Sequence, residues 1–296
     1  MSTQCRLCGS SDLVMCYRTR DYNRRIDERQ FNYVECQACK TLQLAFIPEN
    51  LATYYASEYF QIPLSAANLL PGSKVDRFKL SLLKKHTSPC EILEIGPGVG
   101  GFAYLAKVAG YFPQVIEIDR ACRQFIQEQL EIPAVAGPED LSGFPANSFD
   151  CIALWHVLEH LTEPRALMNN LWRVLRPGGT VLLALPNPDS LQFSIFGRFW
   201  AHLDAPRHVA LPPAQTLIRE LEARDLQLTE LTSSDAGTLY WNRFGWTESM
   251  KNLSRSSLTQ SLLGAFGMGA AAISYSLGSL DPTRSAYTLV VRKASL

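Results

Sequence analysis

Short apolar runs alternate with longer helix-like stretches between residue 89 and about residue 235, and this alternation constrains the fold more than any other feature. Leucine and β-branched residues fill the runs, as is typical of strands buried on both faces of a sheet. The predicted strands are Glu91–Ile95, Pro113–Ile118, a strand near Ile132–Ala136, Cys151–Trp155 and Thr180–Leu185. The stretches GFAYLAKVAG, RACRQFIQEQL and PRALMNNLWRVL predict helices, the last ending at RPGG. The pattern predicts βαβ units and a parallel sheet.

A glycine-rich loop, in EILEIGPGVGGF, follows the first strand and opens a helix. Glycines at this point let the backbone approach a ligand closely at a helix N-terminus. Two patterns fit the same letters. Gly96, Gly98 and Gly101 form the dinucleotide fingerprint G-x-G-x-x-G, whereas Glu94, Gly96, Gly98 and Gly100 form acidic-x-G-x-G-x-G.

The acidic residue Glu94 distinguishes the two patterns. A carboxylate on a buried strand is costly unless it meets a partner, and it would repel a pyrophosphate. The pattern that begins at Glu94 resembles the first motif of class I S-adenosylmethionine-dependent methyltransferases, whose members place this acid near the methionine ammonium. The stretch from GPEDL to LPNP is similar to the later motifs of that family, in the expected order. The resemblance covers roughly residues 89–215 and weakens beyond them.

The resemblance implies a Rossmann-like, doubly wound, mostly parallel seven-stranded sheet that binds S-adenosylmethionine. Asp119, at the end of the second strand, would hold the ribose hydroxyls. Pro138 stands where family members often have an Asp, so the adenine contact stays open between Glu139 and Asp140. The cofactor residues that the resemblance implies are Glu94, Gly96, Pro97, Gly98, Gly100, Asp119, Glu139, Asp140, Leu141 and Trp155.

Four cysteines near the N-terminus form two C-x-x-C pairs, Cys5 with Cys8 and Cys36 with Cys39. Two such pairs can close a tetrahedral zinc site, and with all four positions filled by protein the zinc would be structural. A redox pair or four idle thiols is the alternative. A subset of the same family carries such a module before the methyltransferase domain. We therefore predict a zinc ribbon over residues 1–45.

The remaining organisation follows from composition. Residues 46–88 predict a helical linker or lid, and residues 89–296 the methyltransferase domain. Within that domain, residues 236–285 predict an apolar helical insertion before a last strand at Ala286–Val291. Aromatic residues at Tyr54–Phe60 would either fold over the cofactor or pack ordinarily.

A segment after the fifth strand, FGRFWAHLDAPRHVALPPAQTL, can reach the substrate side of the cleft. We predict His208 as a candidate base, because histidine accepts protons near neutral pH. The alternative is that Arg207 and His208 brace this loop with Asp204 as their partner. The predicted substrate-side residues are Asp204, Arg207, His202, Tyr55 and Tyr59.

The letters WHVLEH contain the His-x-x-Glu-His spacing of certain zinc peptidases. A two-histidine zinc site needs both rings on one helix face. His156 ends a predicted strand and His160 lies in the next turn, so we do not predict a peptidase. His156 becomes a second candidate for substrate contact, and Glu159 and His160 are expected to brace the loop.

Charge and composition limit the kinds of partner and location that the sequence predicts. Twenty-eight basic and 28 acidic residues cancel, so no general attraction to nucleic acid is expected. The first residues lack an apolar signal region, which favours a cytoplasmic location or one at the inner face of a membrane. The uncharged stretch within residues 240–280 is a candidate for peripheral membrane contact or a homodimer face; a bilayer span is the weaker alternative.

The predicted function is S-adenosylmethionine-dependent methylation of a small molecule, by in-line displacement. Sugars or sugar-nucleotides are the first candidate acceptors, and lipid- or quinone-like molecules the second. Two other hypotheses remain open. One is a degenerate methyltransferase scaffold whose zinc ribbon docks a partner, and the other is an RNA methyltransferase.

Overall fold

The computed structural model describes residues 3–55, 60–72, 76–137, 141–276 and 284–295. Its strands are β1 (Leu13–Arg20), β2 (Gln30–Cys36), β3 (Leu42–Leu44), β4 (Glu91–Ile95), β5 (Phe112–Ile116), β6 (Ala134–Val135), β7 (Phe149–Trp155), β8 (Leu175–Pro186), β9 (Ala210–Leu211), β10 (Leu226–Thr232) and β11 (Ala286–Lys293). Its α-helices are α1 (Ala66–Gly72), α2 (Arg77–His86), α3 (Gly101–Val108), α4 (Arg120–Gln129), α5 (Pro164–Val174), α6 (Leu191–Phe196), α7 (Ala214–Glu222), α8 (Ala236–Asn252) and α9 (Ser257–Ser276).

The larger sheet has seven strands in the order β10-β11-β8-β7-β4-β5-β6. Its five strands from β8 to β6 pair in parallel, and β11 runs antiparallel to both β8 and β10. The side chains of β7 alternate between the two faces. Ile152 and Leu154 pack on one face, and Cys151 and Ala153 on the other. The predicted doubly wound, mostly parallel α/β fold is confirmed.

Two predicted boundaries differ from the structure. The second strand ends at Ile116, two residues earlier than predicted, so Glu117 and Asp119 lie in the loop after β5. The fifth strand begins at Leu175 and takes in RPGG, which we predicted as the break between helix and strand. A register shift in the pairing of β7 with β8 and a positive φ of 73° at Gly178 accommodate this segment.

The smaller sheet has four strands in the order β1-β2-β3-β9, and its neighbours pair antiparallel. The first three strands come from the predicted N-terminal module, but β9 comes from the segment after the fifth strand of the domain. Leu42 pairs with Leu211, and the hydroxyl of Thr216 donates to the carbonyl of Cys39 at 2.6 Å. Strand pairing and a side-chain hydrogen bond therefore connect the predicted 1–45 module to the segment that follows the fifth strand.

The predicted linker, residues 46–88, contains a single-turn helix at Leu51–Tyr55 together with α1 and α2. The predicted insertion, residues 236–285, forms α8 and α9; its residues 277–283 lie outside the described part of the chain. One face of α9 exposes Leu258, Leu262 and Phe266. Across the described ranges, no helix combines the length and the apolar character that crossing a bilayer requires. Peripheral membrane contact and a homodimer face stay predictions.

Candidate functional site

The loop between β4 and α3 depends on its glycines. Gly96, Gly98 and Gly100 have φ of 65°, 58° and 80°, a region that residues with a Cβ enter only under strain. A Cβ on Gly96 would also lie 2.7 Å from the side chain of Val157, and one on Gly100 would lie 2.9 Å from Ile126. Conformation and close packing therefore both require glycine in this loop.

A carboxylate from the neighbouring β–α turn meets this loop. Glu117, which follows β5, is 3% exposed. Its Oε2 accepts a hydrogen bond from the backbone N–H of Gly98 at 2.9 Å, and its Oε1 accepts from the N–H of Asp119 at 2.7 Å. Arg123 donates to the backbone carbonyl of Glu117 at 2.7 Å. The carboxylate is therefore held at the carboxyl edge of the sheet, where open α/β sheets bind ligands.

Asp119, the predicted ribose ligand, caps the helix that follows β5. Its Oδ1 accepts from the N–H of Cys122 at 2.8 Å, so the side chain is the N-cap of α4. Glu117, two residues earlier, is the acid that contacts the glycine loop, and the ribose role of Asp119 stays a prediction. The letters IEID contain both acids, but a strand extended to Ile118 would have hidden the difference.

Glu94 lies buried at the end of β4. Its Oε2 accepts from the N–H of Ala103, in the first turn of α3, at 3.1 Å. Burial raises the pKa of Glu94 to about 8, with the nearby Asp76 adding to the rise and Lys79 opposing it. Asp76 lies so close to Gly101 that a Cβ there would overlap its carboxylate, and Lys79 binds Asp76 at 2.6 Å. No local pattern points to Asp76 and Lys79, because nothing in the linker marks which residues reach the loop.

Trp155 packs in the core against aromatic residues of α2 and α3. Its ring lies edge-on to Phe78 and Phe102, at centroid distances of 6.0 and 5.4 Å, and the ammonium of Lys79 is 5.3 Å from its centroid. The buried indole N–H finds no acceptor among the described residues. This donor is therefore available to a ligand, and the predicted cofactor contact of Trp155 stays a prediction.

The aromatic residues of the linker take separate places. A ring carbon of Phe60 lies 2.8 Å from the position of a Cβ on Gly98, so Phe60 covers the glycine loop. Tyr54 is buried, and its hydroxyl donates to Asp27 at 2.5 Å. The Tyr55 hydroxyl lies 3.0 Å from Nδ1 of His160. The candidates Tyr59, Glu139 and Asp140 fall outside the described residues, whereas Leu141 is buried with a φ of 64°.

Arg207 is fully buried and binds two carboxylates. Its Nη2 donates at 2.7 Å both to Oδ1 of Asp21, in the N-terminal module, and to Oδ1 of Asp204. Asn23 also donates to Asp204, at 2.6 Å. Burial alone would raise the pKa of Asp204, but the hydrogen bonds and charge of Arg207 outweigh it and hold that pKa well below its usual range. These contacts agree with the bracing interpretation of Arg207 and Asp204.

The three candidate histidines of the site are buried against backbone carbonyls and rings. Nε2 of His202 lies 2.9 Å from the carbonyl of Trp241, and Nδ1 of His208 lies 2.7 Å from the carbonyl of His202. His156 has a φ of 59°, and its ring packs 4.9 Å from that of Trp241. Burial lowers the pKa of all three, to about 3 for His156 and about 4 for His202. All three are therefore neutral near pH 7.

Two groups of side chains in the described part of the chain are arranged closely enough to hold a metal ion. One is Cys5, Cys8, Cys36 and Cys39, and the other is Glu159, His160 and His208. The peptidase-like pair His156 and His160 is not among them. His156 instead faces Oε1 of Glu159 at 3.3 Å through its Nδ1.

The cysteine group has the dimensions of a tetrahedral site. All four sulfurs lie within 4.8 Å of one another, and the Sγ–Sγ distances from Cys5 to Cys39 and from Cys8 to Cys36 are both 3.6 Å. A tetrahedral ion with Zn–S bonds of about 2.3 Å separates its sulfurs by about 3.8 Å. The thiol of Cys39 lowers the pKa of Cys5 by donating to it, which favours the thiolate that binds a metal.

Comparison with known proteins agrees with this geometry. Residues 69–231 match a family model described as a methyltransferase domain, which covers more than half of the chain. A demethylmenaquinone methyltransferase from Deinococcus radiodurans is 30% identical over 135 residues, 42% of this chain and 55% of that relative. The chain spans about half the length or less of the curated relatives it matches.

Solved structures share the fold at low sequence identity. A geranyl diphosphate C-methyltransferase from Streptomyces coelicolor is 12% identical, with a TM-score of 0.52 over 75% of this chain and 78% of that chain. The [4+2]-cyclase SpnF is 18% identical, with a TM-score of 0.51 over 74% of this chain and 81% of that chain. Because proteins described by different reactions share this architecture, the fold alone does not identify the reaction.

Proposed function

The chain belongs to the methyltransferase-domain family, and from that premise we propose that it transfers the methyl group of S-adenosylmethionine to a small-molecule acceptor. The observation that carries the proposal is the contact between Gly98 and Glu117 at the carboxyl edge of the sheet. It joins a glycine loop, suited to close backbone approach, to a buried carboxylate, suited to accept hydrogen bonds from a pair of ribose hydroxyls.

Three parts of the site would hold the cofactor. The backbone of Gly96–Gly100 would lie against it, Glu117 would accept from its ribose hydroxyls, and Glu94 would lie near its ammonium. The raised pKa of Glu94 supports that last role, because burial disfavours its carboxylate and the ammonium of a bound cofactor would favour it. When bound, the cofactor supplies an electrophilic methyl group on a sulfonium sulfur.

The chain's own contribution would be alignment and exclusion of water. Phe60 covers the glycine loop, and His156 lies at the same edge of the sheet with 18% of its side chain exposed. Being neutral, His156 can accept a hydrogen bond from an acceptor hydroxyl through a ring nitrogen, whereas its lowered pKa makes it a weak proton acceptor. Alignment of acceptor, methyl group and sulfur supplies the larger share of catalysis in this proposal.

The acceptor class that we propose is a lipid- or quinone-like molecule, with sugars and sugar-nucleotides as the second candidate. Support comes from the demethylmenaquinone methyltransferase relative and from the uncharged character of α9, in which every residue from Ser257 to Ser276 is neutral. An apolar acceptor needs such surfaces near its site, because its affinity comes largely from buried apolar area.

We further propose that Cys5, Cys8, Cys36 and Cys39 bind a structural Zn²⁺. The sulfur spacing fits a tetrahedral ion, and all four ligands come from protein. The ion would hold the two C-x-x-C turns together, and the Thr216–Cys39 contact would transmit this order to α7.

The test is a transfer assay with methyl-labelled S-adenosylmethionine and separate pools of quinone precursors, sterols, sugar-nucleotides and RNA. We expect label in a small-molecule pool, strongly reduced in Glu117→Gln and retained in Asp119→Asn. Label in RNA would favour the RNA methyltransferase hypothesis instead. Tight cofactor binding with no transfer to any pool would favour the scaffold hypothesis.

A further inference from the structure

Glu159, His160 and His208 converge on one point, although the third is far from the others in sequence. One potential ligand atom from each lies within 4.8 Å of the other two. The N–H of Val209 donates to the carbonyl of Glu159 at 2.6 Å and so joins the loop after β7 to the segment before β9. The rings of His160 and His208 pack edge to face at a centroid distance of 4.6 Å.

Backbone carbonyls lie beside one ring nitrogen of each histidine, and for His208 this contact determines the tautomer. Nδ1 of His208 lies 2.7 Å from the carbonyl of His202, and Nδ1 of His160 lies 3.1 Å from the carbonyl of Arg207. A carbonyl oxygen only accepts, so Nδ1 of His208 carries the hydrogen and its Nε2 keeps its lone pair, whereas Nδ1 of His160 also lies 3.0 Å from the Tyr55 hydroxyl, which can donate to it. Histidines that bind metals are oriented in this way, with the other ring N–H donated to a carbonyl or carboxylate.

Glu159 adds a third acceptor. It is 0% exposed, and its Oε2 has no hydrogen-bond partner among the described residues. A buried carboxylate oxygen without a donor is costly. Each neutral imidazole of the cluster also keeps one acceptor nitrogen, so the three side chains lack a positive group that would satisfy this oxygen.

We propose that Glu159, His160 and His208 bind a divalent transition-metal ion, separate from the cysteine site. Two imidazoles and a carboxylate are a ligand set used for Zn²⁺ and neighbouring ions, and three protein ligands leave a coordination position for water or another oxygen ligand. This site pairs His160 with His208 rather than with His156, so it differs from the peptidase arrangement that the letters WHVLEH suggest.

Two features make the site accessible and adjustable. His160 is partly exposed, which provides an entry path. Ligand atoms of a tetrahedral zinc ion are separated by about 3.4 Å. Side chains now within 4.8 Å would therefore close by at most about 1.4 Å on binding, a movement that rotation about side-chain bonds can provide.

In the experiment, a chelator removes bound metal from the full chain, and Co²⁺ is then added. The metal content and the visible absorption spectrum are measured. Thiolate ligands give an intense sulfur-to-cobalt charge-transfer band, and imidazole and carboxylate ligands do not. We expect two ions per chain in the wild type, one with this band and one without it. A single ion, carrying the thiolate band, would overturn the proposal.

Single-residue variants show which side chains bind the second ion. Glu159→Gln and His208→Gln should keep the thiolate band, lose the second ion and bind Zn²⁺ at that site at least about tenfold more weakly. His86→Gln is the matched control, because His86 pairs with Glu230 and belongs to neither group of metal-binding candidates, and it should keep both ions. Retention of the second ion in both site variants would overturn the proposal. If a variant loses both ions because it fails to fold, the wild-type count decides.

Discussion

The backbone N–H of Gly98 donates a hydrogen bond to Oε2 of Glu117 across 2.9 Å, joining the turns that follow two adjacent strands, β4 and β5. The same carboxylate binds the N–H of Asp119 through Oε1. Two backbone donors therefore hold Glu117 in place before any ligand arrives. This arrangement places a charged acceptor beside a loop that only glycine can form, and the proposed cofactor site depends on it.

Glu117→Gln should weaken the binding of S-adenosylmethionine. Hydrogen bonds to charged groups contribute about 1.5–3 kcal/mol, so we expect the dissociation constant to rise about tenfold or more. Asp119→Asn is the control, because asparagine caps a helix about as well as aspartate; its cofactor affinity and stability should match the wild type. Isothermal titration measures both. The reverse result, weak binding in Asp119→Asn only, would return the ribose role to Asp119.

Gly98→Ala should lower cofactor affinity for two separable reasons. The left-handed backbone costs about 1–2 kcal/mol with a Cβ, and the Cβ also meets Phe60. Adding Phe60→Ala should recover the part of the lost affinity that comes from contact between the new Cβ and the Phe60 ring. Gly110→Ala is the matched control, because Gly110 has a φ of 89° but open space around its Cβ position. It should lose stability without losing cofactor affinity, and equal affinity losses in both glycine variants would contradict this account.

Cofactor binding at pH 6.5 should release about one proton. Burial raises the pKa of Glu94 to about 8, so this carboxyl is protonated in the free protein at that pH. An ammonium beside it favours the carboxylate and expels the proton. Titration calorimetry in buffers of different ionisation enthalpy measures the release. Glu94→Gln should abolish it, and a release unchanged in that variant would rule out Glu94 as its source.

Arg207→Met should destabilise the fold by about 3–5 kcal/mol, because it leaves the carboxylates of Asp21 and Asp204 buried without their cation. Arg176→Met is the control, since its pair with Asp150 is partly exposed and should contribute less than about 1 kcal/mol. Denaturant unfolding measures both. Equal losses would mean that the buried pair has no special role in joining the N-terminal module to the domain.

The same pair predicts a pH dependence. Arg207 depresses the pKa of Asp204 below its unfolded value of about 3.9. The stability that Asp204 contributes is therefore fully present above about pH 3.9 and is lost as the pH falls through the folded value. The difference in unfolding free energy between the wild type and Arg207→Met should therefore shrink progressively as the pH falls below about 4. A constant difference down to pH 2 would show that Asp204 does not titrate in this way.

Cys36→Ser should remove the proposed zinc of the cysteine site and lower the melting temperature. Cys16→Ser should do neither, because Cys16 lies on an exposed strand position away from the four clustered sulfurs. Elemental analysis and thermal unfolding measure the two effects. Zinc that stays bound in Cys36→Ser, or melting that does not change on its loss, would contradict a structural site.

Local patterns predicted the large sheet, because apolar runs and glycine turns report burial and chain reversal within about ten residues. The strand β4 was predicted with the observed bounds, and β11 was predicted from its apolar run. The ends of strands were predicted less well. Whether Glu117 or Asp119 faces the loop depends on where β5 stops pairing with β4, and neighbouring letters do not determine that point.

Contacts between distant segments could not be predicted. Arg207 binds Asp21 across 186 positions, and His208 meets His160 across 48 positions. Neither pair follows from the period of a helix or strand, since each depends on how β9 joins the small sheet. The pattern therefore marked the segment after the fifth strand as rich in polar residues, but their partners required the tertiary structure.

Equilibrium dialysis of the folded chain against labelled S-adenosylmethionine measures directly whether the proposed site binds the cofactor. We expect one bound cofactor per chain, displaced by S-adenosylhomocysteine and bound about tenfold or more weakly by Glu117→Gln. No retention of label by the folded wild-type chain at high micromolar cofactor would contradict it.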